Sequence, residues 1–303
     1  MIAAAVAKVS RVEFSNYRAL RSVSLDLGDF TVLVGPNACG KSSVLAGLTA
    51  PLLLADRSAG SDASPMIVLE LDDGTAIRKD PTVGQSPRGS SFHFDLAALR
   101  ASTSVMQVHG LDASGANLVN VFASLGRRQQ EALVEEFTEL VPVFGDVNAL
   151  PHSPGTHRLA FEDRWTASRQ YDAAEVSDGS LLVLAYLVLH YQTNAVQLAC
   201  IEEPERGLHP WLLAKMIDLL RKMSRGDVGD RRTQIVIATQ SSDVLNHVEP
   251  EEVRFFARDP ESGLVTITRA PTERPEWVRT LHAYENSLGA LWLSGSVGGV
   301  PAE

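Results

Sequence analysis

The segment Gly35-Pro36-Asn37-Ala38-Cys39-Gly40-Lys41-Ser42 constrains this chain most, because it fits the pattern G-x-x-x-x-G-K-[ST]. The pattern has chemical meaning only between a strand and a helix. Here Phe30 to Val34 reads as a short buried strand and Ser42 to Thr49 as a helix. In that setting the glycines let the backbone curl so that several N–H groups converge on phosphate oxygens. The helix adds the positive end of its dipole. Lys41 supplies a point charge toward the β- and γ-phosphates, and the Ser42 hydroxyl can ligate Mg²⁺. The bland alternative is a glycine-rich turn that merely joins strand to helix. Gly35, Pro36, Asn37, Ala38, Cys39, Gly40, Lys41, Ser42 and Ser43 are therefore the candidate nucleotide-binding residues. Cys39 is open to two readings, a redox-active thiol or a small residue filling the loop.

Composition narrows the rest. With 303 residues, 45% of them hydrophobic, the chain can build a core and is not disordered as a whole. The longest strongly apolar stretch, Leu181 to Leu189, is far short of the ~20 residues of a membrane helix. Met1 to Ala7 lacks the basic start of a signal peptide, so a cytoplasmic protein without a membrane association is expected. Cys39 and Cys200 make neither a disulfide framework nor a metal-ligand spacing. A net charge of −10 argues against binding nucleic acid by charge alone. The cluster Arg221, Lys222, Arg225, Arg231 and Arg232 is either a solvated helix end or a local nucleic-acid contact, and Asp227 and Asp230 partly offset it.

Along the chain, Val9 to Phe14 and Val23 to Leu27 alternate as strands, and Asp72-Asp73-Gly74 marks a hairpin between Met66–Leu71 and Thr75–Arg78. Asp80 to Ser91 and Leu150 to His157 read as loops, and Arg127 to Leu140 as a helix. Beyond Ser177 the pattern sharpens into an apolar helix (Gly179 to Gln192), a strand (Val196 to Ile201), a helix opened by Pro210, a strand (Thr233 to Ala238), a short helix and two further strands. Strands alternating with helices give an α/β fold with a mainly parallel sheet.

The strand Leu198 to Ile201 runs into Glu202 and Glu203. Alternation places the two carboxylates on opposite faces, which suits one to support Mg²⁺ and the other to orient an attacking water. A solvated acidic strand end is the competing reading. Pro204-Glu205-Arg206-Gly207-Leu208-His209-Pro210 follows at once, Val176-Ser177-Asp178-Gly179-Ser180 stands upstream, and Ala238-Thr239-Gln240-Ser241-Ser242-Asp243 downstream. In this order, together with VEFSNYRALRSVSLDLGDFTVLVGPNACGKSSVL, the motifs resemble the ABC-type ATPase heads of the SMC/RecF/OLD group. The resemblance covers residues 9–50 and 175–257 well and is weak over 80–170.

The resemblance implies a phosphate-loop NTPase with an N-terminal antiparallel β element and a helical insertion. Its single domain, 1–303, would divide into 1–80, a variable insertion over 81–170, and a signature and Walker B part with a tail over 171–303. It implies ATP and Mg²⁺ as ligands and a homodimer in which Ser177, Asp178 and Gly179 of one copy meet the γ-phosphate held by the other. Glu202 and Ser42 take the Mg²⁺-supporting places, and Glu203, Lys41 and Gln240 the catalytic ones. Asp178 stands where transporter signatures carry glycine. Gln240 stands where most ABC-type ATPases carry a histidine, so hydrolysis is expected to be slow. Gln85 and Gln107 are the two candidates for the Gln-loop, and His209 is either a helix cap or a residue of the dimer seam.

Ser177 follows Ser42 by 135 positions without heptads, and Glu303 follows Gln240 by 63, so long coiled-coil arms and a C-terminal nuclease domain are not expected. The expected output is a bare ATPase head of the small OLD-like type that gates a separate partner, such as a TOPRIM-like nuclease in DNA repair or anti-phage defence. The apolar, glycine-rich tail Leu288 to Pro301 either meets such a companion or packs as a strand or turn on its own domain. The alternatives are a non-catalytic ATP sensor or scaffold, which Gln240 favours, and an ABC transporter ATPase subunit, against which VSDGS and EEPERGLHP argue.

Overall fold

A computed structural model describes residues 7–49, 65–79, 89–229 and 231–297. In chain order the elements are β1 (Val9–Tyr17), β2 (Leu20–Asp26), β3 (Phe30–Val34), α1 (Lys41–Thr49), β4 (Met66–Leu71), β5 (Ala76–Lys79), β6 (Gly89–Phe92), α2 (Leu96–Arg100), β7 (Thr103–Ser104), α3 (Leu118–Ser124), α4 (Arg127–Leu140), β8 (Phe144–Ser153), β9 (Thr156–Asp163) and β10 (Gln170–Asp172). They continue with α5 (Asp178–Tyr191), β11 (Leu198–Glu202), α6 (Pro210–Arg225), β12 (Gln234–Thr239), α7 (Ser242–Leu245), β13 (Val253–Arg258), β14 (Val265–Arg269), α8 (Pro275–Ala283) and α9 (Leu288–Leu293). The chain folds into two compact units. One comprises Met1–Ser91, Gln197–Glu205 and Arg232–Glu303, the other Phe92–Val196 and Arg206–Arg231.

The first unit holds two sheets. The N-terminal element is antiparallel with strand order β2-β1-β4-β5, and Gly74, at φ 84°, makes the turn between its last two strands. The second sheet has the order β14-β13-β3-β12-β11-β6. Within it β11, β12, β3 and β13 run parallel to one another, and β14 pairs antiparallel with β13. All residues of β3 and β12 are buried, as the run FTVLV and the sequence QIVIAT require of central strands. Phe14, Leu33, Val44, Leu48, Leu69, Cys200 and Val236 share one apolar core with the inner face of α1. The mainly parallel sheet expected from the sequence is this one.

The second unit is built around α5. Every residue from Gly179 to Tyr191 is buried, consistent with a helix that is apolar all round. Helices α2, α3, α4 and α6 pack against it. On the other flank of α4, Phe137, Phe144 and Phe161 form a ring cluster with centroids 5.3–6.0 Å apart, joining the helix to the β8–β9 hairpin. In α6 the apolar face Leu212, Leu213, Met216, Ile217, Leu220 and Met223 is buried, and Gly226 closes the helix at φ 80°.

Several sequence expectations are corrected. The insertion over 81–170, expected to be partly helical, holds α2, α3 and α4 and also a sheet of β7, β8, β9 and β10. Leu150 to His157, expected as a loop, lies within the β8–β9 hairpin, with only Pro154 and Gly155 between the strands. Most of the loop expected over Asp80 to Ser91 lies outside the described residues, but Gly89 to Ser91 belongs to β6. The tail opens with helix α9, not a strand or turn. In the basic cluster, Lys222 pairs with Asp218 at 2.9 Å and Arg231 donates to the Gln192 carbonyl at 2.8 Å.

Candidate functional site

Parallel strands bring their carboxyl ends to one edge, where α/β sheets bind ligands. Here β3, β12 and β11 are adjacent, with Val34 opposite Thr239 and Ala238 opposite Glu202. The loop from Gly35 to Gly40, the end of β11 and the end of β12 therefore meet at the same edge. Together they line a cavity of about 320 Å³, whose walls are Asn37 to Ser43, Glu202, Glu203, Ala238 and Thr239, with Ala19 and Arg258.

The loop is tightly determined. A Cβ on Gly35 would lie 2.5 Å from the Phe256 carbonyl oxygen and 2.9 Å from Cys39 Sγ. Gly40 has φ 101°. Cys39 is buried, which supports the loop-filling reading of this residue over the redox one. Lys41 Nζ donates to the carbonyl oxygens of Gly35 at 2.6 Å and Pro36 at 2.8 Å. The ammonium is thus held over the curl where the sequence pattern expects phosphate oxygens.

Glu202 ends β11. Glu203 then adopts φ 46°, a left-handed conformation that costs a non-glycine residue about 1–2 kcal/mol. Its N–H donates to the Ala238 carbonyl at 2.9 Å. Both Glu202 and Glu203 line the cavity. Gln240 does not line it but donates from Nε2 to Glu203 Oε1 at 2.9 Å.

Two residues beyond, Glu205 Oε1 accepts from the Thr239 hydroxyl at 2.5 Å, whereas its Oε2 is buried without a partner among the described residues. Burial pushes this carboxyl up from its ordinary range; Glu203 adds to the shift, while the Thr239 bond and Lys41 oppose it. Sequence reasoning assigned Glu205 no role. It also missed Arg258, which donates from Nη1 to the Ala38 carbonyl at 3.3 Å and from Nε to the Gly263 carbonyl at 3.1 Å. A single carboxylate after a motif, or one arginine on a distant strand, carries no spacing that marks it.

Ser177, Asp178 and Gly179 belong to the second unit. Ser177 caps α5, its Oγ accepting from the Ser180 N–H at 3.2 Å. Asp178 pairs with Arg100, which also donates to the Val176 carbonyl at 3.1 Å. A Cβ on Gly179 would meet Leu212 Cδ2 at 2.4 Å, so the glycine also lets α5 and α6 approach closely. His209 is the exposed N-cap of α6, its Nδ1 accepting from the Trp211 N–H at 3.3 Å. Gln107 is exposed in the second unit, and Gln85 lies outside the described residues.

The site suits a magnesium-bound triphosphate. Ser42 and Glu202 offer hard oxygen donors to the same cavity, and Mg²⁺ in such sites completes its shell with water and phosphate oxygens. Among the described residues there is no cluster of three or more His, Cys, Asp or Glu that would form an all-protein metal cage.

Fold and loop together are those of a phosphate-loop, NTPase-like α/β protein. The family model described as "AAA domain, putative AbiEii toxin, Type IV TA system" matches residues 110–246, and that described as "AAA ATPase domain" matches residues 8–58. No curated protein matches by sequence. Among solved structures the chain is similar to the SMC head domain from Thermotoga maritima (TM-score 0.53, 12% identity, 86% of this chain and 98% of that one). It is also similar to an SmcHead bound to the C-winged helix domain of ScpA (0.58, 12%, 88% and 98%). A third match is an Smc head domain with an extended coiled coil, bound to the C-terminal domain of ScpA derived from Pyrococcus furiosus (0.56, 10%, 92% and 100%). The chain has the fold of the SMC head domains, as its motifs lead one to expect. Among the described residues no helix is long and apolar enough to cross a membrane.

Proposed function

We propose that this chain is a cytoplasmic ATP-operated switch that binds and hydrolyses ATP, pairs with a second copy around the nucleotide, and gates a partner protein. The observation that carries this reading is the single cavity shared by the Lys41 loop, Glu202 and Glu203. Loop N–H groups and the Lys41 ammonium hold the phosphates, while Ser42 and Glu202 would hold Mg²⁺, which neutralises phosphate charge when bound. Glu203 takes a proton from water as the water oxygen bonds to the γ-phosphorus and the bond to ADP breaks, giving ADP and phosphate. The Ser177 segment, at the N-terminus of a long buried helix, supplies a hydroxyl and N–H groups to the phosphate bound by the other copy. Closure on ATP and release on hydrolysis is a two-state device that a partner can read. A TOPRIM-like nuclease in DNA repair or anti-phage defence is the partner proposed.

The test is steady-state ATPase activity with light scattering. Glu203→Gln is expected to lower kcat about 10²–10⁴-fold while ATP still drives pairing. Lys41→Ala should abolish binding. Wild-type protein that binds ATP yet never exceeds Glu203→Gln in turnover, partner included, would instead be an ATP sensor. That second reading has one supporting observation, the Gln240 amide already bonded to the Glu203 carboxylate.

A further inference from the structure

Two loops leave the sheet edge side by side, one after β11 and one after β12. Three side-chain or main-chain bonds tie them: Glu203 N–H to the Ala238 carbonyl, Gln240 Nε2 to Glu203 Oε1, and Thr239 Oγ1 to Glu205 Oε1. The third differs from the others. Thr239 Oγ1 also accepts from the Ser241 N–H at 2.9 Å, so the hydroxyl is oriented from behind and its proton is directed at Glu205. The Thr239 hydroxyl is the side-chain partner of the Glu205 carboxyl, whose Oε2 is buried with no partner among the described residues.

We infer that Glu205 is a positioning residue for hydrolysis: with the Thr239 hydroxyl it latches the loop after β11 to the loop after β12, holding Glu203 and Gln240 in register for the attacking water. The inference rests on the proposed role of Glu203. Glu205 itself does not line the cavity. Its chemistry explains why a carboxyl, rather than an apolar residue, follows the Glu203-Pro204 step. An apolar side chain would leave the Thr239 proton without an acceptor.

The latch makes a specific pattern of consequences. Glu205→Ala and Thr239→Val remove it, whereas Glu205→Gln and Thr239→Ser keep an acceptor and a hydroxyl in place. With the full chain and ATP, the first pair is expected to lower kcat about 10- to 100-fold, as misplacement of a base does, with KM for ATP within about twofold. The second pair should recover to within about threefold of wild type. Hydrogen exchange gives a readout that needs no turnover. The Ser241 amide should exchange at least tenfold faster in Glu205→Ala and at the wild-type rate in Glu205→Gln. The inference fails if Glu205→Gln is as impaired as Glu205→Ala, if Glu205→Ala keeps wild-type kcat, or if the Ser241 amide is indifferent to Glu205→Ala. Failure of the underlying reading looks different: Glu203→Gln would then hydrolyse ATP as fast as wild type.

Discussion

Gly289→Ala tests how the C-terminal helix supports the catalytic edge. Gly289 is the second residue of α9, and a Cβ there would lie 2.3 Å from the Ser242 carbonyl oxygen and 2.9 Å from Asn246 Oδ1. The first is backbone and cannot swing aside, so α9 must shift by about 1 Å to restore van der Waals contact. Overpacking of this kind costs about 1–3 kcal/mol. The shift also strains two bonds on Asn246 Oδ1, from the Gly289 N–H at 3.0 Å and the Ser287 hydroxyl at 2.9 Å. Each is worth about 0.5–1.5 kcal/mol. Alanine returns up to about 1 kcal/mol through helix propensity. The expected net loss is about 3 kcal/mol, or a fall of about 6–12 °C in the thermal midpoint. Urea unfolding followed by circular dichroism measures it, and red-shifted tryptophan emission reports release of Trp292, which is 5% exposed. Ser241, next to Gln240, caps α7, the helix against which α9 packs, so turnover should fall as well. A stability within about 0.5 kcal/mol of wild type, with unchanged emission, would refute the argument.

Two further outcomes follow from the second unit. His190 is buried with Nε2 against the Val228 carbonyl at 2.6 Å, and burial lowers its pKa from 6.5; burial lowers that of His157 too. The unfolded chain therefore binds more protons below about pH 6.5, so stability is full above that pH and declines as pH falls. Urea midpoints from pH 5 to 8 should show this slope, and His190→Leu should flatten it while lowering the plateau. Arg100→Ala removes the partner of Asp178 and the donor to the Val176 carbonyl. Asp178 is 44% exposed, so solvent screening limits the loss to about 1 kcal/mol, and urea unfolding that shows none would count against a bracing role for Arg100.

The parts of the fold that could be read in advance are those where local pattern and burial agree. FTVLV and TQIVIA had to be central strands, and the all-apolar helix after Ser177 had to be a core helix. The parts that could not be read are edges and close approaches. Among the described residues strand β8 pairs only with β9, and its register shifts between Pro151 and Ser153, so a proline survives in an edge strand where its missing N–H does no harm. Gly89 opens β6 because a Cβ there would lie 3.3 Å from the Leu48 carbonyl oxygen, a constraint imposed from elsewhere in the chain. In the site, the Lys41 loop and Glu202-Glu203 were legible as motifs. The break at Glu203, the Thr239–Glu205 bond and the Arg258 bridge to Ala38 were not, because each depends on which strand ends become neighbours.

The seat of Lys41 has a kinetic meaning. Its ammonium rests on two main-chain oxygens of its own loop, so the curl is braced by its own side chain. Arrival of an anion is then an exchange of partners, carbonyl for phosphoryl oxygen, with little chain left to order. If the loop holds phosphate as proposed, discrimination lies in how long an anion stays rather than in how readily it enters. A mononucleotide with too few phosphates to outcompete those two carbonyls would leave as fast as it came.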